Sequence, residues 1–253
     1  MTDDAIQKHS AFTCMADGFV ICIVITVRLQ PTNLRLPSYH TEVIKMAFVD
    51  DLGLDLFLLA FSAFLLSYGT ASVLLSYRKG KGDEVREKMR SLSIPIGTLG
   101  LFILLMGMEG EFVWPLPNFG KLGYDILFFD GFSMLGFLLL AAALAINMNR
   151  RLEYIGLMSM MFGLTVIFYG AVAYGLRMTE EPFAMFGLYT LFGLSGVAAL
   201  PASIAADRAI ASAKVGRKWI VMTYGYLFFL VVSALAALAI AAPAIASHLA
   251  SAP

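Results

Sequence analysis

Cysteine and histidine are nearly absent from this 253-residue chain, and the few present lie outside its apolar stretches. Cys14 and Cys22 fall in the first 45 residues, as do His9 and His40, while His248 is in the C-terminal tail. This excludes a disulfide framework, thiolate zinc, iron–sulfur ligation and paired-histidine haem from the apolar part of the chain. Charge is scarce as well, at 14% against the roughly 25% usual in soluble domains. No Walker loop, serine-nucleophile motif or His-Glu-x-x-His sequence occurs. No catalytic residue, cofactor or metal ligand is therefore assigned. An enzyme is not expected, nor is a nucleic-acid partner.

What the chain has instead is apolar bulk: 59% hydrophobic residues, including twenty Phe and fourteen Met. From Leu52 onward six apolar stretches follow one another, each near the ~20 residues that cross a bilayer. The intervening charges alternate. The segment Arg78 to Arg90 carries six basic residues, and the next loop only Lys121. The third has Arg150 and Arg151, the fourth only Arg177, and the fifth Arg208, Lys214, Arg217 and Lys218. Cytoplasmic loops collect Lys and Arg, so loops one, three and five are expected inside and both bundle termini outside. From Met46 onward the inner side holds twelve basic and five acidic residues, and the outer side two basic and nine acidic. The basic side suits anionic headgroups.

The fold class is thus all-α: a polytopic bundle of six transmembrane helices in a cell (plasma) membrane. The lipid bilayer is its first partner. The spans are expected near Leu52–Tyr77, Leu92–Phe112, Ile126–Ile146, Tyr154–Leu176, Phe183–Ala205 and Trp219–Ala241. Pro95 is placed in the first turn of the second, where proline is tolerated. Trp114-Pro-Leu-Pro117 ends that span, and Pro201 is expected to kink the fifth. Trp114 and Trp219 read as interfacial anchors at opposite faces. Glycines such as Gly100, Gly107, Gly136, Gly163 and Gly193 let helices approach closely, so a compact bundle is expected. The alanine-rich surface of the sixth span suits internal packing or self-association.

Residues 1–45 differ in character from the six-helix membrane domain, 46–253. Their apolar run, Phe19 to Val27, is too short to span. An acidic start (Asp3, Asp4) and the lack of an Ala-x-Ala site do not fit a secretory signal. Two readings are open: a poorly ordered arm, or a mis-annotated start with translation beginning at Met46.

Asp130-Gly-Phe-Ser-Met-Leu-Gly aligns with Glu181-Pro-Phe-Ala-Met-Phe-Gly, which points to a repeated helical hairpin. The third and fifth spans run in the same direction, so the repeat is parallel, unlike the inverted repeats of many alternating-access carriers.

The chemistry available is an acidic outer rim. Glu109 and Glu111 close the second span, Asp125 and Asp130 open the third, Glu180 and Glu181 open the fifth, and Asp55 is one turn into the first. Glu109 is expected to face the bundle interior, since exposure to hydrocarbon costs about 2–3 kcal/mol. It is expected close to Arg177, the natural counter-ion, or to another acid of the rim. The candidate functional residues are Glu109, Asp55, Asp125, Asp130, Glu181 and Arg177. The competing reading is helix caps at Asp130 and Glu181 and solvated acids elsewhere.

Phe112-Val-Trp-Pro-Leu-Pro117, Tyr124-Asp125, the Asp130 helix opening and Glu181-Pro-Phe together resemble an uncharacterised prokaryotic family of multi-span membrane proteins, domain of unknown function 981. The resemblance implies a multi-span fold and carries over no activity. Two functions are expected to compete. One is small-solute or cation transport through an acidic outer vestibule. The other is a non-catalytic subunit of a larger membrane assembly, such as a respiratory complex.

Overall fold

The computed structural model describes residues 51–113, 123–179, 181–211 and 213–251. The segment 1–45 with both of its readings, Trp114–Pro117 and Glu180 lie outside the described residues. Among the described residues six helices follow one another: α1 (Asp51–Arg78), α2 (Gly82–Val113), α3 (Tyr124–Asn147), α4 (Glu153–Gly175), α5 (Pro182–Ile210) and α6 (Arg217–Ser251). Each contains a stretch long and apolar enough to cross a membrane, so this is a multi-pass membrane protein. Large side chains such as Phe61, Phe168, Phe228 and Leu235 are exposed on the lateral surface, as lipid contact requires.

Two boundaries depart from expectation. Helix α2 begins ahead of Leu92, at Gly82. Gly80, at φ 73°, turns the chain, and Asp83 and Glu84 then sit in the first turn, where they complement the helix dipole. The first turns of α2 are amphipathic. Val85 and Met89 bury against Val73, Leu152, Ala205 and Val215, while Arg86 between them stays exposed and Lys88 donates to the Ser76 hydroxyl at 2.7 Å. Pro95 consequently lies well inside α2 rather than in its first turn. Helix α6 runs past Ala241 to Ser251 with Pro243 inside it.

Each helix packs on its chain neighbours, and α6 closes back on α1, so the six form a ring with only slight contact across it between α2 and α5. The tightest pairs are the hairpins α2–α3 and α4–α5. Both cross through glycine. A Cβ on Gly100 would lie 2.7 Å from the Leu140 nitrogen, and one on Gly193 would lie 2.6 Å from the Gly163 carbonyl oxygen. Backbone cannot give way as a flexible side-chain tip can, so these crossings depend on the missing side chain. The contacts repeat in kind: Gly136 meets Gly100 and Leu104, and Gly193 meets Gly163 and Ile167. The α1–α6 pair uses alanine instead, with Ala60, Ala63, Ala234 and Ala237 fully or almost fully buried. Ala234, Ala237 and Ala241 of α6 thus serve internal packing, while Ala239 and Ala242 are exposed.

The basic end is tied down by polar bonds. Asp207 on α5 accepts the backbone N–H groups of Leu152 and Glu153, both at 2.9 Å, and so caps α4 from outside. The Tyr77 hydroxyl accepts the Val215 N–H at 2.7 Å, and Arg78 donates to the Tyr224 hydroxyl at 2.9 Å. Trp219 is held there between the cations of Arg208 and Lys218, each about 5 Å from its ring (5.1 and 5.2 Å).

Candidate functional site

The acidic end gathers carboxyls from three helices. On α2, the stripe Ile103, Gly107 and Gly110 packs on α3 and sets the phase of the helix. Glu111, one turn beyond Gly107, is carried to the same side and is partly buried. Glu109, two residues beyond Gly107, is rotated away and exposed. The expectation that Glu109 faces the interior is therefore corrected: α2 buries its glycine face, and the acid that turns inward is Glu111. Lying within about one turn of the described end of α2, Glu109 can reach headgroup water instead of hydrocarbon.

Asp130 stands at the centre of the group. It is in the second turn of α3, which starts at Tyr124, so it does not open that helix. It accepts a hydrogen bond from the Tyr169 hydroxyl of α4 at 2.7 Å. Its carboxyl also meets that of Glu111 in hydrogen-bond contact. Asp125, 3% exposed, is near enough to act electrostatically on Glu111. Asp55 on α1 is buried at 6% exposure. Asp55 and Asp130 both act on Tyr189 of α5, whose hydroxyl donates to the Leu127 carbonyl at 2.5 Å.

Arg177 and Glu181 are exposed, at the end of α4 and just ahead of α5. Glu181 is the exposed residue before Pro182 and makes no side-chain cap to α5, against the capping reading. Arg177 is exposed where α4 ends, at φ 47°, a left-handed conformation unusual for a residue with a side chain. Tyr169 and Tyr189 were missed as candidates, because buried hydroxyls resemble interfacial aromatics in sequence. Among the described residues no three His, Cys, Asp or Glu side chains converge so as to hold a metal ion.

Inside the ring, below the acids, lie two apolar cavities. The larger, about 300 Å³, has Asp55 and Tyr189 in its wall, with Leu59, Phe132, Phe162 and Phe192 among its apolar lining. The smaller, about 190 Å³, reaches toward the basic end, where Tyr77, Thr223 and Val215 line it. They share Leu66, Leu135, Leu138, Ser159, Ala199 and Tyr226, so they meet end to end. Among the described residues no lysine, arginine or histidine lines either one. Sequence periodicity could not show this chamber, since its walls are made of the same apolar residues as the lipid face.

No curated protein and no solved structure is detectably similar to the chain. The family model described as "Protein of unknown function (DUF981)" matches residues 46–251, and the chain belongs to that family.

Proposed function

We propose that this protein moves small solutes across the plasma membrane, with the chamber inside the ring as the binding site and the acidic end as its outer vestibule. The pair of end-to-end cavities along the ring carries this reading. The chamber's wall refines the choice of solute. Taking a bare inorganic cation into such an apolar space forfeits its hydration at a cost of several kcal/mol. A solute with an apolar body and a polar or cationic head fits better, its head toward Asp55 and Tyr189. The acids at the mouth raise the local concentration of cations. Binding and passage need no bond-making chemistry.

The test is uptake into proteoliposomes of ethidium, which has an aromatic body and a positive charge, beside potassium. Protein-dependent uptake of ethidium without potassium is expected. Ala199→Phe, which fills the junction of the two cavities, should abolish it. Absence of protein-dependent flux for both would overturn the transport reading and favour the subunit alternative.

A further inference from the structure

The weakest joint in the ring is the seam between α3 and α4. These helices touch less than any other neighbouring pair. A Cβ on Gly131 of α3 would find only Val166 of α4, at 3.9 Å, which is ordinary contact with room to spare. Both residues line the larger cavity, as do Phe128 and Met134 of α3 and Phe162 of α4. The seam is therefore a thin apolar wall of the chamber. The glycine crossings of α2–α3 and α4–α5 are interlocked backbone against backbone, so each hairpin is a stiff unit on either side of it. The Tyr169–Asp130 hydrogen bond crosses from α4 to α3 at the acidic end, and the Glu111 contact backs Asp130 from α2.

The geometry points to a ligand with a hydrocarbon body that enters the chamber sideways from the bilayer, between α3 and α4, with the Tyr169–Asp130 bond as the latch of that passage. The inference rests on the chamber reading above and names both its substrate class and its route. An apolar body gains nothing by leaving lipid for water on its way in, so an opening facing lipid is the path of least cost. A hinge at this seam also breaks the fewest packing contacts of any joint in the ring.

The route is tested by closing it covalently. Cys14→Ser and Cys22→Ser remove the native thiols, and Gly131→Cys with Val166→Cys places a pair across the seam, where a Cβ on Gly131 lies 3.9 Å from a Val166 methyl carbon, for closure by oxidation that peptide mass spectrometry verifies. The protein in nanodiscs is exposed to adamantane diazirine, an apolar photoreactive probe, in reduced and oxidised forms. Labelling is mapped by peptide mass spectrometry. In the reduced form the chamber residues Leu59, Phe192 and Leu230 should be labelled, and oxidation should lower this at least five-fold, reversibly. Lipid-facing Phe168 and Leu235 should label equally in both forms, which checks that the fold persists. Tyr169→Phe should speed chamber labelling in the reduced form.

Unchanged chamber labelling after oxidation would overturn the lateral route while leaving the chamber reading intact. Labelling confined to the lipid face in both forms would overturn the hydrocarbon-ligand assignment. Transport itself would still stand or fall on the ethidium flux.

Discussion

A helix advances about 100° per residue, so two acids separated by one position stand on nearly opposite faces. In α2 the face is chosen by Gly107 and Gly110, which must lie against Ser133 and Phe129 of α3. Glu111 follows Gly107 inward, and Glu109 is left on the surface. The two should respond differently to substitution. Glu109→Leu should leave thermal stability in detergent unchanged or slightly raised. Glu111→Leu should lower it by about 1–3 kcal/mol, because Asp130 loses a partner and remains half-buried. A thermal scan of both variants decides this, and equal behaviour would contradict the assignment. That carboxylates collect at one end of the bundle was legible in the sequence. Which of two neighbouring glutamates turns inward was not, since depth was weighed without the phase that the glycine stripe imposes.

The helices carry a repeat, but in a different register from the one sequence identity suggests. Aligning Asp130 with Glu181 pairs Gly136 with Gly187. In the structure the position equivalent to Gly136 is Gly193, since each meets a glycine carbonyl on the preceding helix, whereas a Cβ on Gly187 would touch nothing. The parallel hairpin was thus readable and its register was not, because apolar helices share residues by composition while a crossing is fixed by where backbones meet. Substitution separates the two registers. Gly163→Leu should cost several kcal/mol by forcing α4 from α5 or prevent folding. Gly187→Ala should be neutral or stabilise by up to about 1 kcal/mol, since alanine is the better helix former. Denaturation in mixed micelles gives both values. The long start of α2 was hidden for a related reason: the basic run from Arg78 to Arg90 reads as a loop, yet its buried Val85 and Met89 keep helical spacing.

At the scale of the molecule, the number and order of the spans followed from hydropathy and charge alternation, because lipid imposes them on the sequence directly. The ring closure through α6 and the chamber inside it depend on tertiary packing and left no local mark. The charge rule further predicts that reporter fusions at Gly80 and after Ser251 report opposite sides of the membrane, and equal signals would contradict the proposed topology.

The chamber itself is tested most directly by carbene photolabelling of the native protein and of Ala199→Phe in nanodiscs. The account predicts adducts at Leu59, Phe192 and Leu230 in the native protein, and their loss in Ala199→Phe with labelling of Phe168 and Leu235 unchanged. Adducts on the lipid face alone, or chamber labelling unaffected by the phenylalanine, would contradict it.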